Sequence, residues 1–133
     1  MAPIVSSEQI SEFREQGVTV LRGVFFDWVD VLRKGVDANM ADPDPNARIY
    51  TGKDGGGRFF VDYCNWARIP EYKEFIFNSN AAAIGAELMD SKKVQLFHEH
   101  VLVKEAATGV PTPWHQDAPY YCVEGAKTVS LWI

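Results

Sequence analysis

The apolar pattern of the chain changes its period once, near Ser91. Before this point apolar side chains recur three or four residues apart, as on one face of an α-helix, and the segment from Trp28 to Met40 is the clearest case. After it, the run from Lys93 to Lys104 has an extended pattern, which predicts a long strand. Helices that come first and strands that come last are typical of an α+β fold.

Capping residues and breakers set the ends of the predicted helices. Ser7 is the expected N-terminal cap of the first helix, and Gly17 is its C-terminal stop. Pro70 favours a helix start at the first turn, and Asn80 is a typical N-terminal cap. The helices are predicted at about residues 7–17, 28–40, 70–77 and 80–89. Strands are predicted at residues 18–22, 58–61, 93–104 and 128–133, and loops at 42–57 and 108–113.

The last predicted strand, Thr128–Ile133, is apolar and reads as part of a core. We therefore expect residues 1–133 to form one partial domain, mainly helical over 1–92 and carrying the first core strands over 93–133. Such a fragment is expected to be inactive alone and to self-associate through its unpaired strand edges. The alternative is a short domain that ends on a buried edge strand.

Composition and charge narrow the class of protein. Hydrophobic residues make up 47% of the 133-residue chain, and 8 Phe, 5 Tyr and 4 Trp provide material for a core, which excludes a disordered or low-complexity chain. The net charge of -5, without a basic run, argues against a nucleic-acid partner.

Cysteine usage and the absence of targeting patterns bear on the compartment. The two cysteines, Cys64 and Cys122, do not form a C-x-x-C pair and fit a reducing compartment. The first residues lack the basic and apolar regions of a signal peptide, and no apolar stretch approaches the ~20 residues of a membrane span. We expect a cytoplasmic protein without a membrane partner.

The segment Trp114-His115-Gln116-Asp117 contains the sharpest chemical pattern. In an extended segment, residues i and i+2 point to the same side, so His115 and Asp117 can converge on one metal ion. An imidazole and a carboxylate suit a divalent first-row metal, and one further His would complete the 2-His-1-carboxylate facial triad of non-haem Fe(II) oxygenases. A His-x-Asp triplet also arises by chance in polar surface loops, and that interpretation stays open here.

Other polar and aromatic residues have both a functional and a structural interpretation. His98 and His100 fall on one face of the strand that contains them, where they either contact bound molecules or form structural hydrogen bonds. Tyr120 and Tyr121 follow the segment Trp114–Asp117 and either line a substrate channel or pack in the core. Arg58 either contacts an acidic substrate or cosubstrate or is simply solvated.

The strand Val94–Lys104, the corner Thr112–Asp117 and the tail Val129–Ile133 follow one another along the chain. In this order they resemble the phytanoyl-CoA dioxygenase family of Fe(II)/2-oxoglutarate oxygenases. The N-terminal part is also similar to that family, with a helix, the segment Gly17–Val24 and a second helix, and later the segment Arg58–Trp66. The resemblance spans nearly the whole chain and is most specific between Leu96 and Asp117.

The resemblance implies a double-stranded β-helix, a jelly-roll or cupin-like core with helices packed outside it. It implies that His115 and Asp117 are the first two iron ligands, and that His100, Gln116 and Trp132 line the 2-oxoglutarate pocket. Family members carry the second His ligand and a cosubstrate-binding Arg further along, beyond the point that corresponds to residue 133.

The implied activity requires Fe(II) and the cosubstrate 2-oxoglutarate. With O2 and a small organic substrate as partners, 2-oxoglutarate would be converted to succinate and CO2 while the substrate is hydroxylated. Two alternatives remain: a jelly-roll protein that binds or supports without turnover, and a cupin-like metal-dependent hydrolase or isomerase. A downstream His followed by an Arg would favour the oxygenase.

Overall fold

A computed structural model describes residues 3–52 and 55–133 of the chain. Over these ranges helices precede and flank one antiparallel sheet, which confirms the α+β class. The helices are α1 (Ser7–Gln16), α2 (Val29–Ala41), α3 (Pro70–Asn78) and α4 (Ala81–Leu88), with short 3-10 helices at Phe26–Trp28 and Ala118–Tyr120. The strands are β1 (Arg48–Thr51), β2 (Arg58–Tyr63) and β3 (His100–Lys104), in the order β1-β2-β3.

The first helix is capped one residue earlier than its sequence predicts. The Ser6 hydroxyl, rather than that of Ser7, accepts a hydrogen bond from the Gln9 backbone N–H, and the Gln9 side chain accepts one from the Ser6 N–H. This reciprocal pair satisfies two backbone donors at the start of α1. Gly17 ends the helix as predicted, with a φ of 77°. Asn80 precedes α4 as predicted, but its side chain makes no capping hydrogen bond.

Strand β1 lies inside the segment predicted as a loop. Of that segment, residues 53 and 54 lie outside the described part of the chain. β1 pairs with β2 so that Arg48 faces Val61, and β2 pairs with β3 so that Tyr63 faces His100. β1 is a strand because β2, which begins seven positions after β1 ends, supplies its hydrogen-bond partners.

The long strand predicted at residues 93–104 is wrong in its first half, since β3 begins only at His100. Immediately beyond the pair Tyr63–His100, Cys64 adopts a φ of 63° and turns the chain away. The Cys64 N–H donates one more backbone hydrogen bond, to the Glu99 carbonyl oxygen at 3.2 Å. Beyond it, residues 93–98 have no backbone hydrogen-bond partner on the described chain that follows β2, so they do not extend the strand.

The segments predicted as strands at 18–22 and 128–133 do not join a sheet. Leu21 from the first segment and Val129 and Leu131 from the second pack against the buried cluster of Val5, Ile84 and Leu88. The other apolar side chains of the two segments are largely exposed: Val18, Val20, Trp132 and Ile133. Within the described ranges, neither segment has a strand beside it to supply ladder hydrogen bonds.

The two faces of the sheet have different surroundings. One face turns toward α2 and α3 and forms the main core, in which Phe60 and Val101 pack with Ile69 and Tyr72. Side chains of paired residues share a face, so the register assigns the remaining positions to the opposite side. This opposite side, called the open face below, carries Arg48, Tyr50, Phe59, Val61, Tyr63, His100, Leu102 and Lys104.

Helices α2 and α3 approach closely at Gly35, which is buried. A Cβ atom at this position would lie 2.6 Å from Cε1 of Tyr72 and 3.0 Å from Cβ of Glu71. Tyr72 is held in place because its ring is in the main core and its hydroxyl bonds Asn39 Oδ1 at 3.3 Å. The absence of a side chain at residue 35 therefore sets the distance between the two helices.

Gly35→Ala is expected to lower the free energy of unfolding by about 1–3 kcal/mol through overpacking. Gly85→Ala is the matched control, because it is also a buried helical glycine but its Cβ would make ordinary contacts at 3.6 Å to Val129 and 3.9 Å to Met89. The control should leave stability unchanged or raise it by up to about 1 kcal/mol. Urea denaturation measures both, and equal stabilities of the two variants would contradict this account of the helix contact.

None of the helices in residues 3–52 and 55–133 combines the length and the apolar character needed to cross a bilayer.

Candidate metal centre

His115 and Asp117 face each other at the corner that follows Pro113. Nε2 of His115 lies 3.3 Å from Oδ1 of Asp117, and both side chains are about half exposed. Nδ1 of His115 lies 2.7 Å from the Pro113 carbonyl oxygen. A carbonyl oxygen only accepts, so Nδ1 carries a proton and, in the neutral ring, Nε2 presents its lone pair to the carboxylate.

Two electron-pair donors held this close repel each other unless a proton on Nε2 or a metal cation lies between them. Protein ligands bind divalent first-row metals at roughly 2.0–2.2 Å, so two ligands at right angles on one ion lie on the order of 3 Å apart. The separation of His115 and Asp117 therefore fits two neighbouring positions on one metal ion. The carbonyl that fixes the imidazole is the kind of outer partner that orients metal-binding histidines.

An open pocket of about 440 Å³ surrounds the corner. It is lined by Thr112, Pro113, Trp114, His115, Asp117 and Trp132. Trp132 thus lies in the same pocket as the two proposed ligands, and its side chain is 89% exposed. Gln116, between the two proposed ligands in sequence, is exposed. The pocket is a wide surface concavity whose walls come from the corner and the end of the described chain.

The two remaining histidines lie beside the corner on the open face. The ring centroids of His98 and His100 are 6.3 Å apart, and each lies against Tyr63, at 6.5 and 5.9 Å. His98 also contacts Tyr121 at 5.5 Å. Burial and the neighbouring His98 lower the pKa of His100, although the more distant Asp117 and Asp62 act in the opposite direction. The net direction of the shift favours the neutral imidazole of His100.

The tyrosines after the corner connect it to these histidines. The 3-10 helix Ala118–Tyr120 turns the chain directly after Asp117 and brings the Tyr120 ring 6.4 Å from that of His115. Tyr121 lies beside both His98 and Asp117, and burial together with the Asp117 carboxylate raises its pKa. Four residues predicted from the sequence as site residues thus lie near the His115–Asp117 corner, on one side of the sheet: His98, His100, Tyr120 and Tyr121.

Arg58 is placed differently from the other predicted site residues. Its guanidinium forms an ion pair with Glu105, and its backbone N–H donates to the same carboxylate at 2.8 Å. Arg58 hydrogen bonds accordingly lower the pKa of Glu105 to about 2. The ion pair joins the start of β2 to the end of β3, and a cosubstrate contact for Arg58 remains a prediction.

A buried polar network on the helix side of the sheet was not predicted. Asp62 accepts hydrogen bonds from the Asn39 side chain at 2.7 Å and from the Asp44 N–H at 3.0 Å. Nearby, Asn65 Oδ1 accepts a hydrogen bond from Arg68 Nε, and the Asn65 backbone N–H donates one to the Glu99 carboxylate. Asp62 was the sequence signal for this network. It lies two residues after Phe60 in the alternating segment Arg58–Tyr63, so both side chains are on the same, buried face of the strand.

The position of Arg48 and Tyr50 on a strand of the sheet was also not predicted, because β1 follows a proline-rich turn and precedes a run of glycines. The alternation within Arg48–Thr51 was the only local signal of a strand, and four residues are too few to establish it.

The chain combines helices packed on an antiparallel sheet with a corner at which His115 and Asp117 face each other. Within the described ranges, no group of three or more His, Cys, Asp or Glu side chains lies close enough together to hold a metal ion. Comparison with protein-family models gives a match to phytanoyl-CoA dioxygenase (PhyH) over residues 13–133. The chain belongs to this family. Searches of curated proteins and of solved structures gave no match.

Proposed function

We propose that the chain carries the iron-binding corner of an Fe(II)- and 2-oxoglutarate-dependent dioxygenase that hydroxylates a small organic substrate. The observation that carries the proposal is the 3.3 Å approach of His115 Nε2 to Asp117 Oδ1 in a member of the phytanoyl-CoA dioxygenase family. When bound, Fe(II) and 2-oxoglutarate supply the oxidising chemistry, in which O2 gives one oxygen atom to the substrate and one to succinate, with release of CO2.

His115 and Asp117 would hold the metal, and Pro113 keeps the imidazole in the tautomer that leaves Nε2 free to bind. Gln116, Trp132 and His100 are proposed to contact 2-oxoglutarate, as the family resemblance implies. Support for Trp132 is its place on the pocket wall, and support for His100 is its position on the same side of the sheet. Neutral His100 can donate a hydrogen bond to a carboxylate without adding charge to the metal site.

The jelly-roll core belongs to the proposal too. The open face carries Tyr50, Tyr63 and Leu102 at 41%, 42% and 43% exposure, although all three are large and apolar in character. An antiparallel sheet with apolar side chains on both faces is typical of a two-layer core rather than of a surface sheet. We propose that a second sheet of the jelly roll faces it and that the metal corner lies between the two.

Titration of the 133-residue chain with Co(II), followed by visible absorption, tests the metal assignment. We expect weak binding of one ion, because the corner supplies two ligands. Replacing even outer partners of a ligand costs 10–100-fold in affinity, so His115→Ala and Asp117→Ala should each weaken binding by at least about 100-fold. His98→Ala is the matched control and should bind as the unsubstituted chain does.

Undiminished Co(II) binding in His115→Ala would reject the metal site. Loss of binding in His98→Ala instead would move the metal to the histidine pair. Release of succinate from 2-oxoglutarate, with Fe(II) and ascorbate present, then tests the oxygenase against the two rivals. Metal binding without succinate release in a protein with a completed triad would favour a binding protein or a metal-dependent hydrolase.

A further inference from the structure

The open face carries an aromatic pair with a cation on each side. The rings of Tyr50 and Phe59, which are directly paired across β1 and β2, lie 5.9 Å apart. Nζ of Lys104 lies 4.9 Å from the centre of the Phe59 ring. The Arg48 guanidinium lies beside the Tyr50 hydroxyl, and this contact raises the Arg48 pKa. We call these four residues the cationic patch.

The two cations of the patch have no carboxylate partner within the described ranges. Arg14, Arg33, Arg58 and Arg68 each form an ion pair with an aspartate or glutamate. Arg48 and Lys104 form none there, and neither do six other described basic residues. Arg48 and Lys104 differ from those six in lying beside one aromatic pair on the same face of the sheet. Two such cations over an apolar surface are complementary to an anion with an apolar body.

The cationic patch and the metal corner lie on the same side of the sheet. From Lys104, the row Val61–Leu102 comes next along the strands, followed by the row Tyr63–His100. The rings of Tyr63, His98 and Tyr121 continue this surface to Asp117. Lys104 and His100 are four positions apart on β3, a distance of roughly 14 Å at about 3.4 Å per residue.

We propose that the open face binds the organic substrate as a carboxylate anion, with Arg48 and Lys104 holding the carboxylate. The body of the substrate is apolar or aromatic and packs on the exposed Tyr50 and on the row Val61–Leu102, while Phe59, which is 7% exposed, supports Tyr50 and Lys104 from below. Its far end then points toward His115 and Asp117. This assignment of substrate class rests on the proposed oxygenase function and adds to it the group by which the substrate is recognised.

Binding of trans-cinnamate to the metal-free chain, measured by isothermal titration calorimetry, tests the patch. Cinnamamide has the same body without the charge and serves as the ligand control. Arg48→Gln and Lys104→Gln should each weaken cinnamate binding by about tenfold, because each removes one charge-assisted contact. Lys73→Gln, an exposed lysine on α3, is the matched control and should leave binding unchanged. Arg48→Lys keeps the charge and should restore part of the affinity.

Several outcomes would overturn the proposal. Equal binding of cinnamate and cinnamamide would show that charge plays no part, and equal affinities in Arg48→Gln and Lys73→Gln would place the ligand elsewhere. Displacement of cinnamate by 2-oxoglutarate in an Arg48-dependent manner would assign the patch to the cosubstrate. Sedimentation showing a dimer that Arg48→Gln dissociates would assign the open face to a second copy of the chain.

The same titration in His115→Ala separates this proposal from the oxygenase function. Cinnamate binding that persists in His115→Ala, with Co(II) binding lost, is the result expected of two distinct parts of one surface. If Co(II) does not bind the unsubstituted chain but cinnamate does, the oxygenase proposal fails and the anion site stands. If Co(II) binds and cinnamate does not, the substrate assignment alone fails.

Discussion

Replacing His115 by alanine is expected to abolish 2-oxoglutarate turnover in any form of this protein that carries it out. The imidazole would supply one of only two protein ligands at the corner, and its Nε2 faces the Asp117 carboxylate at 3.3 Å. Loss of a ligand should lower Fe(II)-dependent succinate release by at least about 100-fold. The fold should be retained, since His115 is exposed and outside both buried clusters.

Asp117→Ala should have the same effect, and Asp117→Glu should also fail, because the longer side chain moves the carboxylate oxygen relative to a fixed imidazole. Asp30→Ala removes an exposed carboxylate on α2 and is the control that should keep full turnover. Far-UV circular dichroism checks the fold of each variant. Succinate release at the unsubstituted rate in His115→Ala would be incompatible with the metal site described here.

Replacing Asp62 by alanine is expected to lower the free energy of unfolding by about 3 kcal/mol or more. Its side chain is 2% exposed and accepts hydrogen bonds from the Asn39 side chain and from the backbone N–H groups of Asp44 and Tyr63, while Arg68 lies 3.9 Å away. Without it, the fully buried Asn39 amide loses its acceptor. Asp42→Ala is the matched control, because Asp42 also pairs with Arg68 but is 92% exposed, and it should cost less than about 1 kcal/mol.

The lowered pKa of Asp62 predicts how the free energy of unfolding depends on pH. Burial by itself raises its pKa, but the hydrogen bonds from Asp44, Asn65, Asn39 and Tyr63 outweigh burial and hold the pKa below its ordinary value. The unfolded chain therefore binds this proton more readily than the folded chain does. The contribution of Asp62 is complete above its unfolded pKa of about 3.9 and is lost as the pH falls through the lower folded pKa.

Urea denaturation at neutral pH and at a series of acidic pH values measures both effects. Asp62→Asn should show a shallower loss of stability below about pH 4 than the unsubstituted chain does. An Asp62→Ala variant as stable as Asp42→Ala at neutral pH would show that the buried network contributes little.

The helices illustrate what local sequence signals establish. Periodicity and breakers located α1, α2, α3 and α4 to within a few residues, because a helix satisfies its own backbone over short range. The choice between Ser6 and Ser7 as cap was not decided by composition, since either serine is a good cap. It depended on Gln9, whose side chain completes a box only with Ser6.

The strands show the opposite case, because a strand exists only where a partner supplies its hydrogen bonds. The segments 18–22 and 128–133 have the composition of strands, yet neither pairs with a strand of the sheet, and Leu21, Val129 and Leu131 pack around the cluster of Val5, Ile84 and Leu88 instead. Arg48–Thr51 has weak strand signals, yet it pairs along its whole length with β2. This pairing depends on both strands together and is not encoded in either segment alone.

The sequence by itself determined the helix positions and the α+β class. It also determined the His115–Asp117 pair, since a spacing of two in an extended segment places both side chains on one side. The tertiary structure decided which groups surround that pair. It brought Tyr121 next to Asp117 and the two histidines next to Tyr63 and Tyr121, paired Arg58 with Glu105, and left Arg48 and Lys104 on the open face without a carboxylate partner in the described ranges. The physical reason is that local spacing fixes the direction of neighbouring side chains, whereas contacts between distant segments depend on strand register and on which face the helices cover.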